Sequence, residues 1–161
     1  MPILEWLLVV EESWLAEFTR EVAFPYVETV HVLALALSVG TVAWFDLRLL
    51  GAAMRARTVS EVFGSIKGWM LTGFALMFAT GALLFMADAT DAYQNTYFRT
   101  KIALMALAGL NALAFHLTIG RRTVLWNDAV VPPRAARLAG LVSLVLWVSV
   151  IAVGRIFAYD L

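Results

Sequence analysis

Four apolar stretches, each close to the length that crosses a bilayer, constrain this chain more than any other feature. They cover about residues 26–50, 68–87 (GWMLTGFALMFATGALLFMA), 100–119 and 137–159. Crossing about 30 Å of hydrocarbon takes about 20 helical residues. No water reaches backbone N–H and C=O groups there, so such stretches are helices. Composition agrees: 62% of residues are apolar, 15% are charged and the mean hydropathy is +0.83. A soluble domain carries about 25% charge. The connectors are short, which favours antiparallel neighbours. The chain therefore reads as an all-α integral membrane protein, an up-down four-helix bundle forming one domain over residues 1–161, with the lipid bilayer as its first partner.

Residues 3–19 (ILEWLLVVEESWLAEFT) alternate apolar side chains with glutamates. A signal peptide needs a basic start and a small-residue cleavage site, and this segment has neither. It is expected to be an amphipathic helix in the outer interface, lying in the headgroups or packed on the bundle. Basic residues set the orientation. Eight of them (Arg48, Arg55, Arg57, Lys67, Arg121, Arg122, Arg134 and Arg137) flank one end of the spans, against four (Arg20, Arg99, Lys101 and Arg155) at the other. The excess belongs in the cytoplasm. Both termini are then expected on the periplasmic side of a bacterial inner membrane.

Other function classes lack their signatures. Net charge is zero, which leaves nucleic acid no electrostatic footprint. Cysteine is absent, so a thiolate metal site and a covalently attached haem are excluded. No phosphate loop, nucleophile elbow or dinucleotide fingerprint occurs.

The ionisable residues of the spans carry the functional signal, because such groups are rare and costly at membrane depth. The first and third spans run the same way. A shift of 70 residues lays His31 on Lys101 and Asp46 on His116. Two polar layers follow. The outer layer gathers Glu28, His31, Lys101, Arg155 and Asp88, with Met86 and Met105 near in depth. The inner layer gathers Asp46, Arg48, His116, Trp69 and Lys67. The histidines are 15 positions apart in register, about 22 Å along a helix. One bis-histidine haem cannot bridge them. A haem here would take His31 as its metal ligand, with Met86 or Met105 as the sixth ligand. Glu28 would fix the imidazole tautomer, and Lys101 and Arg155 would meet propionates.

Each residue also has a structural reading. A histidine in a span can simply hydrogen-bond a neighbouring helix, as can the mid-span Asn111. Asp46 and Arg48 can form a boundary ion pair. Methionines fill cores.

Several short patterns resemble a known group. They are Glu28-Thr29-Val30-His31, Asp46-Leu47-Arg48 with Phe45 before it, LMFATGALL at 76–84, FRTK at 98–101, Gly109-Leu110-Asn111-Ala112, and Phe115-His116 followed by Arg121-Arg122. Residues 24–159 resemble uncharacterised bacterial four-helix membrane proteins, and beyond them the HemJ-type protoporphyrinogen oxidases and, more loosely, the CopD-type copper-resistance proteins. The HemJ-like resemblance implies tetrapyrrole binding and oxidoreductase work, with His31 and Lys101 as the residues that carry it. Asp46 and the acidic amino terminus depart from that pattern. The CopD-like resemblance implies copper, for which the methionine spacing is poor. Two function classes are thus expected: a haem b or porphyrin redox protein, or a non-enzymatic accessory or transport subunit for copper or another small solute. The second would work in a homo-oligomer or beside a partner membrane subunit.

Overall fold

The computed structural model describes residues 2–160. Among them there is no strand. Helices α1 (Pro2–Glu11) and α2 (Trp14–Phe18) open the chain, and a π turn at Thr19–Ala23 carries α2 into α3 (Phe24–Leu49). Then come α4 (Val59–Ala87), the short α5 (Ala89–Gln94), α6 (Thr96–Leu117), a 3-10 segment (Ile119–Leu125) and α7 (Arg134–Asp160). Among the described residues four runs are long and apolar enough to cross a membrane: Trp14–Leu49, Val59–Ala87, Thr96–Leu117 and Arg134–Tyr159. The protein is an all-α membrane bundle. Large apolar side chains such as Leu33, Trp69, Leu110 and Val148 point outward, as lipid-facing residues do.

Local chemistry sets the boundaries. Thr58 caps α4 with a reciprocal capping box: its hydroxyl accepts from Glu61 N at 3.1 Å, and Glu61 Oε2 accepts from Thr58 N at 2.9 Å. That cap starts α4 at Val59, well before the expected residue 68. Asn95 starts α6 by accepting from Tyr97 N at 2.8 Å and Phe98 N at 3.3 Å. Pro25 sits in the first turn of α3, where its missing N–H costs nothing. Gly51, at φ 70°, takes the left-handed turn just beyond α3.

The expected single helix over 3–19 is broken. Ser13 accepts from Ala16 N and starts a new helix, so the chain turns after Glu11. Helix α1 packs on α5, and α2 packs on α4 and runs into the first span. Leu7 and Ala16 are buried in these contacts, while Trp6 and Trp14 remain exposed. Arg20 locks the arrangement. Its Nε and Nη2 donate to Ala87 O at 2.8 and 2.6 Å, satisfying a carbonyl at the end of α4. It also pairs with Glu11 at 3.8 Å and Asp88 at 3.9 Å.

Helix α3 is the hub. It packs on α4 and α7, and α7 packs on α6. Small residues allow the close approaches: a Cβ on Gly73 would stand 2.7 Å from Ser38 N, and one on Gly140 would stand 3.1 Å from Asp46 O. Helices α4 and α6 are consecutive spans, joined through the short α5, yet do not pack closely. Aromatic pairs span the gap between them at its two ends, Phe85 with Phe98 and Phe63 with His116.

Candidate functional site

Within the half of the bundle nearest the termini, three helices contribute to one polar cluster. His31 projects from α3 toward α4 and is half-buried. Its Nδ1 lies 2.9 Å from Thr80 Oγ1. The Thr80 hydroxyl donates its own proton to Leu76 O at 2.7 Å, so it accepts from the imidazole. Nδ1 is therefore the protonated nitrogen and Nε2 carries the lone pair. Gly81 makes room for the ring: a Cβ there would stand 3.1 Å from His31 Cε1.

Lys101 enters this cluster from α6. It is half-buried, its stem lies along α7 where Gly154 has no side chain, and its ammonium is near enough to act electrostatically on His31. Glu28 also acts on His31 but is exposed. The hydrogen bond that fixes the imidazole comes from Thr80, not from Glu28, because residue 28 lies on the open side of the helix while α4 packs against the other. Arg155 is exposed and committed to Tyr159, donating to its hydroxyl at 3.0 Å with the guanidinium 4.7 Å from the ring centroid. Met86 is half-buried on α4, and Met105 lines a cavity in the middle of the bundle. Thr80 and Gly81 stand in the quoted LMFATGALL stretch. A Thr-Gly pair on an apolar helix is a usable signal for a close polar contact.

The expected inner layer separates. Arg48 does not pair with Asp46. It is fully buried and turns to the loops, where Nε donates to Arg57 O at 2.9 Å and Nη2 to Ala129 O at 3.0 Å. Two loop carbonyls compete successfully for it because both loops fold over the end of α3. Asp46 turns into the bundle, where Ser143 lies near enough to act on it, and its Oδ2 has no partner among the described residues. His116 is exposed and packs edge-on against Phe63. Trp69 and Lys67 are exposed. Asn111 makes the interhelical hydrogen bond, donating to Ala139 O at 3.0 Å, and it also lines the central cavity. Among the described residues no three His, Cys, Asp or Glu side chains gather as a metal cluster.

Residues 5–160 match a family of unknown function, DUF6644. The chain belongs to that family. No curated protein and no solved structure matches it. Membership of DUF6644 covers nearly the whole chain, both polar groupings included, and leaves the chemistry to be argued from the residues themselves.

Proposed function

We propose that this is a bacterial inner-membrane protein, with both termini in the periplasm, that binds a b-type haem or a porphyrin in the half of the bundle nearest the termini. One observation carries the reading. His31 is held by Thr80 through Nδ1, which leaves Nε2 as a preset donor within electrostatic reach of Lys101. This donor set fits one axial bond to iron and one cationic partner for a propionate. It gives less support to a methionine as sixth ligand, since Met105 belongs to the central cavity. Bound there, the tetrapyrrole would supply the redox chemistry. The chain's part would be to hold the imidazole in one tautomer and to place a positive charge next to it. Resemblance to the HemJ-type oxidases agrees with the pairing of residues 31 and 101. The copper reading gains nothing from the side chains described.

The accessory reading, in a homo-oligomer, beside a partner subunit or as a conduit for a small solute, is favoured by the same hydrogen bond seen as a lock. The bond from His31 to Thr80 ties α3 to α4. Absorption spectra separate the two. Protein purified in detergent from haem-replete cells is expected to show a Soret band that His31→Ala removes while the helical signal persists. A colourless preparation, or a band that survives His31→Ala, overturns the tetrapyrrole reading.

A further inference from the structure

A second site lies deeper in the bundle and is independent of His31. A cavity of about 340 Å³ is lined by α3, α4, α6 and α7. That volume is at the lower end of ordinary small-molecule sites. Its wall is aromatic, with Phe45, Phe63, Phe74, Phe78, Phe115 and Trp147. Asp46 stands in the same wall, 4% exposed, with Ser143 beside it. Among the residues that line the cavity there is no lysine or arginine. Arg48, two residues away on α3, turns Nε and Nη2 to loop carbonyls, and its buried Nη1 has no partner among the described residues.

The carboxyl group is thus buried with no lysine or arginine in the lining to pair with it, and its Oδ2 is without a hydrogen-bond partner among the described residues. Leaving such an oxygen unmet is costly, and an acidic group at membrane depth marks a pathway or binding site by default. Aromatic faces attract cations, most strongly where water is excluded. The wall also shows how a ligand arrives. Phe78 of α4 and Gly109, Ala112 and His116 of α6 are exposed, so the cavity opens through the gap between these two helices toward the lipid.

We propose that this cavity binds a lipophilic organic cation, an ammonium group carrying an apolar or aromatic substituent, which comes from the bilayer between α4 and α6 and pairs with Asp46. The cation supplies the missing charge and an N–H for Oδ2. The phenylalanines and Trp147 surround its apolar part. A water molecule could meet the oxygen but would leave the aromatic wall unused.

Trp147 supplies the readout, because a bromophenyl ring in the cavity quenches its fluorescence. The probe is 4-(4-bromophenyl)butylammonium, compared at neutral pH with the alcohol of the same skeleton, using full-length protein in detergent. Saturable quenching is expected, with the cation bound about tenfold or more tightly than the alcohol. Trp147→Phe should remove the quenching signal. Asp46→Asn should abolish the preference for the cation. Gly109→Phe places a ring in open space at the cavity wall, with nothing within 4 Å of its Cβ, and should fold and block the probe. It keeps the test decisive if Asp46→Asn does not fold. Equal affinity for cation and alcohol, quenching that never saturates, or undiminished binding in Gly109→Phe overturns the proposal. Each of these outcomes can occur with or without a Soret band, so this site stands or falls apart from the one at His31.

Discussion

His31 and Asp46 lie on the same helix and meet opposite fates. The imidazole has a hydroxyl of α4 to receive its proton, a glycine to make room for its ring and an ammonium nearby. The carboxyl group is more deeply buried, yet one oxygen has Ser143 at hand while the other has no partner among the described residues. A polar group whose hydrogen bond crosses to another helix helps hold the fold together. One with an unmet atom weakens the fold, and so is informative about what else the molecule does. The first site is built into the helix pair α3–α4, where backbones touch. The second borders the gap that α4 and α6 leave open.

The largest blow to that contrast should come from the α3–α4 seam. Gly73→Leu would drive a Cβ to 2.7 Å from Ser38 N and 3.0 Å from its Cα, both backbone atoms that cannot rotate away. A loss of about 3 kcal/mol is expected, the upper range for overpacking. It would show as a lower midpoint of unfolding in mixed detergent and denaturant. The bond between His31 and Thr80 should go with it, along with any Soret band. If Gly73→Leu melts like the parent, the seam is not the rigid element that positions His31.

Opposite signs should follow from touching each site alone. Thr80→Val keeps the shape and removes the acceptor of the imidazole proton. Interhelical hydrogen bonds in membranes contribute about 0.6 kcal/mol on average, with a maximum near 1.7, and a loss in that range is expected. Asp46→Asn replaces a buried carboxyl group that lacks a full set of partners, so stability should hold or rise by up to about 1 kcal/mol. Both are read as unfolding midpoints with no ligand added. Should Asp46→Asn destabilise more than Thr80→Val, the carboxylate has a structural partner and the contrast fails.

Much of this was legible in the sequence, and the limits were physical. Span number and class follow from hydropathy, since lipid leaves the backbone no alternative to helix. Placing residues 31 and 101 at one depth needed only the rise of a helix and the direction of two spans. Which face a side chain presents was not legible. In an outwardly apolar helix, hydrophobic periodicity no longer marks the interior. Glu28 therefore looked as good a partner for His31 as any residue one turn away, and Thr80 carried no charge to draw notice. Arg48 looked like a partner for Asp46 at two residues' distance, but positions two apart do not face each other on a helix. The loop carbonyls that claim Arg48 come from residues 57 and 129, a juxtaposition only the folded chain reveals. The spread of α4 from α6 was hidden too, because short connectors suggest neighbours in contact.

The smallest expected effect lies at the termini, where two carboxylates repeat the contrast in a setting that water reaches. Glu11 accepts from Thr90 N at 3.0 Å, and this amide, helped by Arg20, holds its carboxyl below the usual range. Asp88 is pushed up, chiefly by burial and despite Arg20 beside it. The signs of their linkage to folding differ. Glu11 favours the folded state above the unfolded carboxylate value, near pH 4.3, and that contribution is lost as pH falls through its lower folded value. Asp88 binds its proton more tightly in the folded state, so lowering pH through its raised value favours folding. Relative to the intrinsic exchange rate at each pH, acidification should first raise hydrogen-exchange protection in α5, then lower it in α1 and α5 as Glu11 becomes protonated and α1 releases. Asp88→Asn should erase the first phase and leave the second; Glu11→Gln should leave α1 loosely docked at every pH. A single phase in the parent protein, unchanged by either substitution, would mean that the two carboxylates do not govern the docking of α1. Arg20 would then hold α1 through the backbone carbonyls of Ala87 and Glu11 alone.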